Sequence, residues 1–139
     1  MKHSPLVSVA TLVCLLAWGT AVSAPRAQLD PETAELLVDL VRAAAEYDLY
    51  FARCRGDVSG RRTGNIKKIL VNKYGFTVTQ VQDDYFPERS YQAARNNLEK
   101  DFLRQLSQLG GCKGAKKQGL QDSLHSRYRG LLDRLRQLP

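Results

Sequence analysis

Apolar positions recur at helical spacing along most of this chain, and a strand-like alternation surfaces in one short stretch only. The clearest repeat follows Asp30, which can cap a helix, and Pro31, which suits a first helical turn; Glu32 and Glu35 add negative charge where helix amides point outward. From there Leu36, Leu37, Leu40, Val41, Ala44, Tyr47, Leu49, Tyr50 and Phe51 keep the repeat as far as Cys54, predicting about six helical turns with one apolar side.

"RGDVSGRRTGN" interrupts the pattern with glycines, Asp and Ser and predicts a turn. Ile66, Ile69 and Leu70 then mark a short second helix closed by "NKYG", with Gly75 placed for a left-handed cap. In "FTVTQVQDDYF", Phe76 and Val78 alternate as in a strand, whereas Thr77 and Gln80 have capping-box spacing before Val81 and Tyr85. A short helix is preferred, because a lone strand has no partner to pair with.

A fourth helix is predicted beyond Pro87 from Tyr91, Ala94, Leu98, Phe102, Leu106 and Leu109, ending at "LGG" just before Cys112. "KGAKKQG" reads as a basic linker. Over residues 119–138, Leu120, Leu124, Tyr128, Leu131, Leu135 and Leu138 form a packing seam that Leu132 broadens. The expected fold is all-α, a small bundle of four to five amphipathic helices in a single domain spanning residues 25–139.

Residues 1–24 read differently. Lys2 precedes an apolar run ending in Ala21, Val22, Ser23 and Ala24, the pattern of a secretory signal peptide cleaved after Ala24. Retention as an anchor is the lesser alternative, because a span needs about 20 apolar residues. Cys14 would leave with the leader, and acylation at Cys14, with Val13 before it, is a minority reading.

Export changes how the remaining cysteines are read. Cys54 and Cys112 are expected to form one disulfide in an oxidising compartment, stapling the end of the first helix to the end of the fourth. A reactive thiol at Cys54 would need a base, and His125 is the sole histidine beyond the leader, in a different predicted element. The expected location is periplasmic or secreted, with outer-membrane association only if the chain is acylated or held by a partner.

The chain carries 21 Lys plus Arg against 14 Asp plus Glu, a net charge of +7 that becomes +6 when Lys2 leaves. Basic residues are spread in small groups, and no basic stripe interleaves with exposed aromatics, so nucleic acid is not an expected partner. Solvation of helix faces accounts for most of them.

Chemistry-bearing motifs are scarce. No HExxH, GxSxG, glycine-rich phosphate loop or CxxC occurs. His125 is read as a surface histidine, and Asp57, Asp83, Asp84 and Glu88 as solvated turn residues. No metal, cofactor or enzymatic activity is expected. Among the six tyrosines and four phenylalanines, Tyr50 with Phe51 and Tyr85 with Phe86 are adjacent pairs that cannot both face inward, so the outward member of each is a candidate partner contact. Arg55, Arg61 and Arg62 form a candidate basic loop.

The leucine-rich "LLVDLVRAAAEYDLYFARC", the polar turn, the short helix ending in "KYGF", the longer fourth helix and the second cysteine at 112 together resemble the small α-helical pilotins of bacterial type II secretion. The resemblance covers Leu36 to Cys112. It implies a disulfide-bonded helical bundle whose concave surface binds a short C-terminal segment of a secretin. Two departures stand out: a lipid-bearing cysteine at the mature N-terminus has no good counterpart, and "LQDSLHSRYRGLLDRLRQL" extends beyond the family's core.

The function expected is therefore non-enzymatic capture of a peptide or helix of an envelope or secretion component in an interhelical groove, pilotin-like or chaperone-like, with rim arginines orienting an acidic partner. The alternative is an inhibitor or immunity protein of a secreted enzyme or toxin, using the basic 55–62 loop.

Overall fold

The computed structural model describes residues 28–139. The leader expected over residues 1–24, with Cys14, lies outside them. The described residues are all helical in their regular structure: α1 (Pro31–Arg55), α2 (Arg61–Ile69) running into a π-helical turn (Leu70–Tyr74), α3 (Val78–Tyr85), α4 (Tyr91–Gln108), α5 (Gly111–Lys117) and α6 (Leu120–Gln137). One disulfide, Cys54–Cys112, joins the end of α1 to the start of α5 with Cα atoms 5.4 Å apart.

The central element is α1, which packs most extensively on α6 and also touches α2, α3 and α4. Its start is fixed locally: the Asp30 side chain accepts the Thr33 N–H at 2.9 Å, Pro31 occupies the first turn, and Gly56 ends the helix at φ 70°. Leu37, Leu40 and Ala44 are completely buried, and Tyr47 and Tyr50 continue the same face. Opposite them stand Leu120, Leu124, Tyr128, Leu132 and Leu135 of α6. The buried seam of α6 thus drifts to Leu132, leaving Leu131 and Leu138 half-buried, as a straight helix of 3.6 residues per turn drifts from a 3.5 repeat.

Within residues 76–86 the preferred helix forms, as α3 (Val78–Tyr85). Thr77 and Gln80 make a complete capping box, with Thr77 N–H donating to Gln80 Oε1 at 2.8 Å and Gln80 N–H donating to Thr77 Oγ1 at 3.1 Å.

Two expectations are corrected. The turn after Cys54 shortens to residues 56–60, because α2 already begins at Arg61. The segment read as a basic linker is the helix α5, anchored by Cys112 and by the fully buried Ala115; this raises the count to six helices among the described residues. Gly114 is required in α5, since a Cβ there would stand 1.7 Å from the Leu109 carbonyl oxygen.

The π-helical turn also has a role in the bundle. It brings Lys73 to the end of α6, where its ammonium donates to the carbonyls of Leu135, at 3.3 Å, and of Leu138. A cation on the last free carbonyls of a helix both satisfies them and opposes the helix dipole.

Candidate functional site

Away from the face that meets α6, α1 carries a second apolar stripe: Val41, Ala45, Leu49 and Ala52. These residues floor a groove of about 860 Å³. One wall is Val58, Gly60 and the α2 residues Thr63, Gly64 and Lys67; the other is Thr77, Val78, Thr79 and Gln82 around α3, with Tyr91, Arg95, Leu98 and Glu99 of α4. Small side chains make the space. Ala45 and Ala52 leave the floor low, and a Cβ added at Gly64 would meet nothing within 4 Å.

The α2 wall is held by an acid from the floor. Gly60 offers no side-chain cap, and Asp48 of α1 supplies it by accepting the Arg62 N–H at 3.1 Å and the Thr63 N–H at 2.8 Å. The Arg62 guanidinium returns to Asp48 at 3.6 Å and lies 3.8 Å from the Phe51 ring centre and 4.5 Å from that of Tyr47. A weakly hydrated guanidinium over two ring faces is a favourable cation–π arrangement.

Across the groove, Arg53 of α1 pairs with Glu99 of α4 at 2.6 Å. Both side chains are more than two-fifths exposed, so this pair contributes little to stability. Lys67 and Arg95 are exposed on opposite walls, and among the described residues neither has a carboxylate within ion-pair distance; Arg95 donates to the Tyr91 hydroxyl at 3.3 Å. The two acids of the groove are already engaged, Asp48 by α2 and Glu99 by Arg53.

Two residues of the lining are ill-suited to stability alone. Gln82 is the one polar residue buried in the core of the described chain, 4 % exposed, and its Oε1 has no hydrogen-bond partner. Burying an amide oxygen without a donor costs about 1–3 kcal/mol. Gly64 sits inside α2 with ordinary helical backbone, where Ala would fit and glycine costs about 0.5–1 kcal/mol. Residues that weaken a fold without a structural need concentrate at functional sites.

The sequence-nominated contacts lie elsewhere. Tyr50 (2 % exposed) and Phe86 (1 % exposed) are inward members of their pairs and belong to the core. Phe51 is half-buried beneath Arg62, and Tyr85 is half-buried with its hydroxyl accepting the Leu29 N–H at 3.4 Å. Arg55 and Arg61 are exposed, whereas Arg62 is folded onto α1 in the first turn of α2 and not in a loop. None of these seven lines the groove. The residues missed were Ala45, Ala52, Gly64, Lys67, Gln82 and Arg95; the available clue was the spacing of Val41, Ala45, Leu49 and Ala52, which continues one helix face.

Asp57, Asp83 and Glu88 are engaged locally. The Ser59 side chain and the Ser59 N–H, which Asp57 accepts at 3.0 Å, lower the Asp57 pKa; Asp83 accepts the Tyr91 N–H at 2.5 Å; Glu88 accepts from Asn97 at 3.2 Å. His125 is exposed, with Nδ1 3.3 Å from the Tyr47 hydroxyl. Among the described residues, no three of His, Cys, Asp and Glu gather where they could hold a metal ion. No described helix is long and apolar enough to cross a membrane.

No protein-family model matches the chain, and neither a curated protein nor a solved structure matches it.

Proposed function

We propose that this protein is a non-enzymatic binding module that receives a peptide or helix of a partner protein, an envelope or secretion component, in the groove between α1, α2, α3 and α4. The observation that carries this reading is the groove itself: about 860 Å³, with a floor of Val41, Ala45, Leu49 and Ala52, between helical walls. That volume lies in the range of clefts that enclose a ligand. Apolar floors between helices suit the apolar face of an inserted helix or peptide, with rim charges fixing its direction. A pilotin-like or chaperone-like role follows if the captured segment belongs to a protein in transit to the envelope.

Val58 is 84 % exposed at the mouth of the groove and offers a direct test. A photo-crosslinking amino acid at Val58, in cells that naturally make the protein, is expected to give one discrete adduct that the groove-filling variant Gly64→Phe abolishes. The same probe at Leu103, which is exposed outside the groove, serves as control. Equal labelling from both positions, or an adduct indifferent to Gly64→Phe, would remove the groove from the function.

A second reading keeps the 55–62 segment as an inhibitory loop, favoured by the exposure of Val58 between the exposed side chains of Arg55 and Arg61. It predicts an adduct lost in Arg55→Ala/Arg61→Ala and retained in Gly64→Phe.

A further inference from the structure

We infer that the groove reads an acidic segment of another polypeptide, and that Gln82 is the residue that determines its specificity; this rests on the binding reading above. Gln82 lies in the wall facing the groove, almost wholly withdrawn from water, with Oε1 lacking a donor. The atom is an acceptor shielded from water, so an N–H or O–H brought by the occupant completes it once the Gln82 side chain turns toward the groove it lines. Buried atoms of Tyr74, Glu88 and Tyr128 are also without partners, but those residues do not line the groove.

The charge around Gln82 specifies the rest of the occupant. Lys67 and Arg95 put uncompensated positive charge on both walls, while the groove's carboxylates are already paired. The N-terminus of α3 adds to it. Its first amides, those of Val78 and Thr79, have no acceptor within the helix, and both residues line the groove. Partial positive charge at a helix start favours an anion, and the unpartnered Gln82 one turn further along the same helix marks this end as a place where a ligand is expected. A polypeptide with Asp or Glu beside apolar residues offers all three features: a carboxylate for the cations and α3, an N–H for Gln82, and apolar side chains for Ala45, Leu49 and Ala52.

The arrangement makes an unusual pair of expectations for one substitution. Gln82→Met keeps the volume and removes the orphaned acceptor, so thermal stability rises; the same change removes the hydrogen bond to the occupant, so affinity falls. A purely structural Gln82 would move both in the same direction.

The experiment selects random peptides of about four helical turns on the oxidised protein by phage display, then measures the chosen peptides by fluorescence anisotropy against variants. Enrichment of Asp and Glu among apolar positions is expected, with affinity that declines as salt is raised. Gln82→Met should weaken binding about tenfold, the weight of one buried hydrogen bond, with a higher melting temperature. Lys67→Glu/Arg95→Glu should reverse the acidic preference, and Gly64→Phe should abolish binding. Neutral peptides that bind independently of Gln82 but are lost with Gly64→Phe would overturn this inference and leave the groove standing. Failure to select any peptide, or binding indifferent to Gly64→Phe, would overturn both. A dimer in sedimentation that Gly64→Phe dissolves would show a second copy as the occupant and overturn the acidic partner.

Discussion

Asp48 of α1 accepts the backbone N–H of Thr63 at 2.8 Å, so the N-terminus of α2 is capped by a different helix. The same carboxylate takes the Arg62 N–H, and Arg62 lies back across Phe51 and Tyr47. One acid therefore sets where α2 starts, how it leans on α1 and how wide the groove stands.

Asp48→Ala removes the cap and leaves the guanidinium of Arg62, 18 % exposed, without its carboxylate. The expected loss is about 1–2 kcal/mol of unfolding free energy, as for other lost helix caps. Asp48→Asn retains an acceptor and should lose less. Urea denaturation of the two variants measures the difference; equal stability of Asp48→Ala and the parent would show that α2 does not depend on this contact.

The disulfide acts not on the α2 wall but on the C-terminal end of α1. Cys54 follows Arg53, a groove residue, and Cys112 holds α5 and the end of α4 against it. Closing a 58-residue separation is worth about 4 kcal/mol in loop entropy. Cys54→Ser/Cys112→Ser should lower the melting temperature markedly, and hydrogen exchange should rise first in α5, whose buried residue is Ala115 alone. Unchanged exchange in α5 would mean that packing, not the bridge, holds it.

What the chain disclosed in advance followed the range of the interactions involved. Thr77 and Gln80 are three residues apart, and their capping box was legible because both partners sit in one short stretch. The cap on α2 was not, because Asp48 and Thr63 lie on different helices, and the turn was consequently drawn too long. α5 was hidden by its glycines and lysines, which show no apolar period around Ala115. The groove was missed for a related reason. Large aromatic rings attracted attention as contacts, but burial of large rings stabilises most, and Tyr50 and Phe86 went to the core. Cavities are made by what is small, and Ala45, Ala52 and Gly64 leave no mark in a hydrophobicity pattern.

Glu46 offers a pH-dependent test away from the groove. Burial raises its pKa from the ordinary 4.5, against the pull of Arg127 and Arg42, although Arg127 donates to it at 2.6 Å. The folded protein thus holds this proton more tightly than the unfolded chain. Its contribution to stability is complete below the ordinary carboxyl range and is lost as pH rises through the elevated folded value. Glu46→Gln should gain stability over the parent as pH goes from about 3.5 to about 7.5. A parent that gains instead would show the ion pair with Arg127 outweighing burial.

Gly64 separates stability from binding most cleanly. A methyl group there meets no atom within 4 Å, and the backbone is ordinary helix, so Gly64→Ala removes the glycine's conformational entropy without a clash. The expected gain is about 0.5–1 kcal/mol in urea denaturation. The added carbon also enters the groove, so Ala, Leu and Phe at this position should reduce partner capture in that order while the fold is retained throughout. Stability that falls with Ala would show that the wall of α2 already packs against something at Gly64; capture unaffected even by Phe would place the binding surface elsewhere on the molecule.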